Sequence, residues 1–143
     1  MCSIRPMTMA PYLELLALSG VSLSGYACLV TRRMAFAASM GKAYRPSCDL
    51  AASVSCSRAF TSPHASIFGI PNCAVGVAYY LAVLGLAHLG LGTPLLALAG
   101  VGLIPTLYLA YISSFRLKNF CLVCGAIYII NVAIAALLLR GLS

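Results

Sequence analysis

Charge is what this sequence has least of. Only 8% of its 143 residues are Asp, Glu, Lys or Arg, against roughly 25% in a soluble domain, which excludes an ordinary soluble fold. Acids are scarcest: Glu14 and Asp49 are the only two. The last three apolar runs hold no Asp, Glu, Lys, Arg or His except His88, near the end of one. That argues against the polar pathway of a transporter or channel subunit. Neither His64 nor His88 stands where a catalytic base is expected. No internal repeat and no low-complexity segment is evident. No clear small-x-small cleavage site precedes the first polar loop, so the first apolar run reads as a retained helix rather than a signal peptide.

What is present is apolar: 62% of residues, with a mean hydropathy of +1.02. Four runs, at about 13–30, 72–91, 94–113 and 120–139, approach the ~20 residues that a membrane helix needs. Short connections make sequential helices antiparallel neighbours. The expected architecture is a single all-α domain over 1–143, a four-helix membrane bundle with one long polar loop, 31–66, between the first two helices. Gly76, Gly85, Gly100 and Gly102 are candidates for close helix approach. Pro71 suits a helix start and Pro105 predicts a kink. Glu14, one turn inside the first run, favours a helix N-terminus and can reach lipid headgroups.

The net charge is +7. Its carriers stand at span ends and in loops, where they read as lipid-headgroup anchors rather than a nucleic-acid surface. Four crossings put the first and third loops on one side, so Cys48 and Cys56 share a membrane face with Cys121 and Cys124. Orientation is contradictory. Arg32, Arg33, Lys42, Arg45, Arg58, Arg116 and Lys118 all lie in those two loops, and the positive-inside rule would put them in the cytosol. Stable disulfides there would be unusual.

The most informative motif is Cys121-Leu122-Val123-Cys124, opening the last apolar run. A C-x-x-C pair at a helix start puts two thiols on one face, close enough to bond, with the first favoured as thiolate by the helix N-terminus. At a water–lipid boundary it suits electron transfer between a protein disulfide and a lipid-soluble carrier. The other reading is a zinc-stabilised Cys₄ scaffold of Cys48, Cys56, Cys121 and Cys124. Seven residues intervene between Cys48 and Cys56, which permits a bridge. Cys124, Tyr128 and Asn131 fall at i, i+4 and i+7 on one helix face, so the Tyr128 hydroxyl would meet a lipid-soluble carrier beside Cys124 or bond the backbone of a neighbouring helix. Asp49 would tune Cys48, attract a partner or simply be solvated. Arg58 would favour the Cys56 thiolate or anchor the loop at the interface. Cys2, Cys28 and Cys73 read as buried or incidental thiols.

Three segments together resemble the vitamin K epoxide reductase family of membrane thiol–quinone oxidoreductases. These are Cys48-Asp49 with Ser55-Cys56-Ser57-Arg58-Ala59-Phe60, then Ser66-Ile67-Phe68-Gly69-Ile70-Pro71-Asn72, then Phe120-Cys121-Leu122-Val123-Cys124 with Tyr128 and Asn131. The resemblance spans about 20–139. It implies catalysis by Cys121 and Cys124 and a shuttling pair of Cys48 and Cys56. In that route Cys48 meets a thioredoxin-fold partner, Cys56 exchanges with Cys121, and Cys124 faces the quinone. It implies no tightly bound cofactor and no metal, with a quinone or vitamin K as substrate. The site would lie on the lumenal face of the endoplasmic reticulum, or the periplasmic face of a bacterial inner membrane.

Phe60, Phe68, Asn72 and Tyr128 are the candidate substrate-binding residues, with core packing the alternative for the two phenylalanines and helix capping for Asn72. Two departures bear on the substrate. Vertebrate enzymes of the family carry an Asn donor where this chain has Ala65, a loss that a donor at Asn72 would offset. The segment between Cys56 and Ile67 is also short. Both favour quinone over epoxide.

Overall fold

A computed structural model describes residues 9–142; Cys2 and Arg5 lie outside them. Four long helices dominate: α1 (Ala10–Ser39), α3 (Asn72–His88), α4 (Gly92–Tyr111) and α5 (Leu122–Arg140). The short helix α2 (Cys56–Phe60) lies in the first loop. A 3₁₀ turn (Pro63–Ala65) and a two-stranded hairpin, β1 (Ser66–Ile67) with β2 (Ile70–Pro71), lead into α3. A π-helical turn (Ile112–Arg116) extends α4.

α1 runs nine residues past the expected 30, to Ser39, and shortens the polar loop accordingly. Its extension, TRRMAFAAS, is rich in Ala, Arg and Met, good helix formers once the apolar stretch has nucleated the helix. At 30 residues α1 is about 45 Å long, longer than the ~30 Å hydrocarbon core. α3 stops early, at His88, where Gly90 turns the chain with φ +67°. α1, α4 with its extension, and α5 are long and apolar enough to cross a membrane; α3, at 17 residues, is shorter.

α1 packs against α3 and α5, and α4 packs against the same two, closing a ring of four helices. Ala17, Tyr80, Val83, Leu95, Ala99, Ile134 and Leu138 fill the centre. Leu15, Ile104, Leu107 and Ile129 point outward, an apolar exterior that fits an integral membrane protein.

Not all the expected small-residue contacts form. A Cβ at Gly76 would meet Ser24 Oγ at 2.7 Å and one at Gly102 would meet the Tyr79 ring at 2.6 Å, whereas Gly85 and Gly100 face open space. Gly20, which packs under the Tyr80 ring, is a closer approach than either. Asn131 ties three helices: its Oδ1 accepts from the Tyr80 hydroxyl (2.7 Å), and its Nδ2 donates to Thr106 Oγ1 (2.7 Å), which donates to the Gly102 carbonyl. Satisfied polar chains of this kind hold helices together where water is absent. Cys28 and Cys73 are not incidental thiols. They form a disulfide joining α1 to α3, with Cα atoms 5.3 Å apart.

Candidate redox site

The loop after α1 folds back on the start of α5. Ala51 and Val54 pair across a tight turn, and Phe120 donates its N–H to the Ser53 carbonyl at 2.8 Å. Ser55 is the N-cap of α2, its hydroxyl accepting from the Arg58 N–H, a common use of Ser at that position. Asn119, only 3% exposed, grips Ser55 from both sides: Oδ1 accepts from the Ser55 N–H at 3.1 Å and Nδ2 donates to the Ser55 carbonyl at 2.6 Å. The Asn119 carbonyl is held in turn by the Ser113 hydroxyl at 2.6 Å.

This docking carries Cys56 inward. Its side chain is fully buried, and Cys56 Sγ lies 3.6 Å from Cys121 Sγ. Cys48 and Cys56 form a disulfide with Cα atoms 5.8 Å apart. Among the described residues, Cys121 and Cys124 are the cysteines outside any disulfide. Cys121 is the N-cap of α5 rather than its first helical residue, and its sulfur accepts the Cys124 N–H at 3.3 Å. A helix N-terminal N–H aimed at sulfur favours the thiolate.

Asp49 is no merely solvated acid. It accepts from the Ser57 hydroxyl (2.6 Å), the Ser57 N–H (3.0 Å) and the Ser55 hydroxyl (3.0 Å). Burial raises its carboxyl pKa, but those hydrogen bonds, with one from the Cys56 backbone, outweigh it and hold the group below its ordinary value of 3.8. The Arg58 guanidinium donates to the Ala52 carbonyl at 3.1 Å, closing the loop over itself.

Beside Cys124 opens an apolar cavity of about 140 Å³, walled by α1, α3, the end of α4 with its π-helical turn, α5 and the loop after Cys56. Phe60, Asn72 and Tyr128 all line it with Cys124. Phe68 does not. It is fully exposed at the apex of the β1–β2 hairpin, where the two-residue turn needs positive φ and Phe68 and Gly69 adopt +50° and +81°. This is the geometry of a tight right-twisted hairpin; it turns the Phe68 ring away from the cavity. Asn72 opens α3, but Pro71 is its N-cap and no side chain caps it. Its Nδ2 donates to the His64 carbonyl at 2.7 Å, so this donor does not stand free to replace the one missing at Ala65. Asn131 shares the face of Cys124 yet is spent on the helix clasp.

Two residues central to the site lie outside the quoted motifs: Asn119 and Ser113. Asn119 immediately precedes the Phe120-Cys121 segment, and that adjacency was its single signal. A Cys₄ zinc site requires four free thiols, but Cys48 and Cys56 are bonded to each other. Among the described residues no group of three or more His, Cys, Asp or Glu is placed to hold a metal ion.

The sequence pattern described as the Vitamin K epoxide reductase family matches residues 12–139. The chain belongs to the vitamin K epoxide reductase family. Two relatives are the Vitamin K epoxide reductase complex subunit 1 of Mus musculus and that of Rattus norvegicus. Each is 33% identical over 138 residues, covering 85% of this chain and 83% of the relative. As a member of the vitamin K epoxide reductase family the chain is a vitamin K epoxide reductase-like oxidoreductase of the membrane.

Proposed function

We propose that this protein passes two electrons from a protein dithiol, through Cys48–Cys56 and then Cys121–Cys124, to a quinone of the vitamin K type. The observation that carries this reading is the 3.6 Å separation between Cys121 Sγ and Cys56 Sγ, the latter within a disulfide. Thiol–disulfide exchange needs such an approach of an attacking sulfur to a disulfide sulfur.

The cycle balances. In quinone reduction the Cys121 and Cys124 thiols close to a disulfide, two electrons enter the ring and two protons reach its oxygens, giving the hydroquinone. In the return step Cys56 thiolate attacks Cys121, releasing Cys124. Cys48 then attacks Cys56, releasing Cys121 and leaving a Cys48–Cys56 disulfide. The oxidised loop pair and the reduced C-x-x-C pair fit the end of that step. A thioredoxin-fold dithiol attacking Cys48 completes turnover.

Phe60, Asn72 and Tyr128 form the ring pocket. The Tyr128 hydroxyl donates to a ring oxygen, where a preorganised donor helps as negative charge develops. Phe68 has no part in this pocket. Quinone is the preferred substrate over the epoxide because Ala65 and the short segment after Cys56 remove polar and capping groups. The single domain crosses the membrane four times. Its cysteines face the lumen of the endoplasmic reticulum, or the periplasm if the membrane is a bacterial inner one. No tightly bound cofactor takes part.

Replacing Cys121 or Cys124 by Ala is expected to abolish quinone reduction driven by a small dithiol, because neither variant can form the enzyme disulfide. Substantial dithiol-driven turnover by either variant overturns the assignment.

A further inference from the structure

Asn72, a residue lining the proposed ring pocket, carries a polar atom with nothing to bond. Asn72 Oδ1 is buried and has no hydrogen-bond partner. The orientation of the amide is dictated by its surroundings, because Nδ2 donates to the His64 carbonyl at 2.7 Å. Turning the amide over would set two carbonyl oxygens against each other. Ser24, on α1, lines the same cavity, and its Oγ is likewise buried without a partner. Ser19 and Ser22 on that helix donate back to the carbonyl four residues earlier, as mid-helix serines commonly do; Ser24 does not. A buried acceptor left without a donor costs free energy, and two such atoms on one cavity call for a polar guest.

Ser24 can donate or accept, whereas Asn72 Oδ1 can only accept. A quinone carbonyl placed against it is repelled, acceptor facing acceptor. A ring hydroxyl satisfies it. We infer that Asn72 is a specificity-determining residue that accepts a hydrogen bond from a hydroxyl on the bound ring, so that the pocket favours the hydroquinone, or another hydroxyl-bearing aromatic, over the matched ring without that donor. This inference rests on the ring pocket proposed above. It assigns Asn72 the opposite hydrogen-bonding sense from the donor that Ala65 lacks. In the reduction of a quinone the contact forms only as the ring oxygen gains its proton.

The test uses the full chain in detergent, kept free of oxygen, and two probes that share the 2-methylnaphthalene ring, 2-methyl-1-naphthol and its methyl ether 1-methoxy-2-methylnaphthalene. Binding is followed by naphthalene fluorescence and corrected for each probe's partition into detergent. The wild-type protein is expected to prefer the naphthol by roughly tenfold, the scale of one buried hydrogen bond. Asn72→Leu should erase that preference by weakening the naphthol alone. Asn72→Asp, which when protonated can donate to the His64 carbonyl and still accept, should keep it.

Equal affinities in the wild type mean that water already satisfies Oδ1, and overturn the inference. So does a preference that survives in Asn72→Leu. Loss of the preference in both variants assigns the effect to the packing of the His64 segment and overturns it too. If neither probe binds the wild type while the Cys121 and Cys124 variants are inactive, the ring lies elsewhere and only the redox assignment stands.

Discussion

The buried amide of Asn119 holds both backbone polar groups of Ser55, and Cys56 is the next residue. Removing that side chain leaves the Ser55 carbonyl unpaired, while the Ser55 N–H keeps its bond to the Phe120 carbonyl, a loss on the order of 1–3 kcal/mol. Asn119→Ala should therefore loosen the loop from α5 and slow formation of the Cys56–Cys121 mixed disulfide by several-fold or more. Trapping that species in a Cys48→Ala, Cys124→Ala background, with and without Asn119→Ala, measures it; equal rates would show that the cysteines meet without the clamp. Asp49 contributes to the same docking in a pH-dependent way. Its folded-state pKa is depressed, so its stabilisation is complete above the ordinary value of 3.8 and is lost as pH falls below it through the folded value. Proteolysis of the loop should rise with acidification in that range. In Asp49→Asn the loop should already be cut faster at neutral pH, with the acid-dependent step missing.

At the scale of elements, the two disulfides have different surroundings. Cys48–Cys56 lies within one loop and beside a third sulfur at 3.6 Å. Cys28–Cys73 cross-links α1 and α3, residues 45 apart in sequence, beside the pocket that both helices wall. A loop of that length restrains the unfolded chain, and such bridges stabilise by about 2–4 kcal/mol. Cys28→Ala should lower the thermal midpoint in detergent by several degrees while Cys121 and Cys124 still form their disulfide with quinone. An unchanged midpoint would mean that the α1–α3 packing needs no covalent tie. Sequence spacing could not reveal this pair, because nothing local marks a cysteine within α1 and one in the first turn of α3 as neighbours. It becomes visible once Gly20 under Tyr80 and Gly76 against Ser24 set the distance between α1 and α3. The boundaries of α1 were similarly hidden, since hydropathy ends near Val30 while helix propensity does not.

At the scale of the whole molecule, lipid and chemistry disagree over orientation. Seven of the nine Lys and Arg residues flank the redox face, yet a relay that keeps Cys48–Cys56 oxidised fits an oxidising compartment. With the cysteines first reduced by a permeant phosphine, a membrane-impermeant maleimide added to sealed vesicles that expose the cytosolic face should leave Cys48 unlabelled. Efficient labelling would reverse the proposed orientation. Composition alone determined that the chain is an apolar helical protein of the membrane, because at 8% charge nothing else could cover its surface. Motif and spacing determined its family and marked Cys121, Cys124, Cys48 and Cys56, since redox chemistry requires those atoms whatever the packing. Tertiary structure decided which sulfurs meet, that Asn131 is a clasp and Phe68 an exposed apex, and that Asn72 turns its donor to His64. Those outcomes depend on distances between segments far apart in the chain, and a residue's partners there are chosen by packing rather than by its neighbours in sequence.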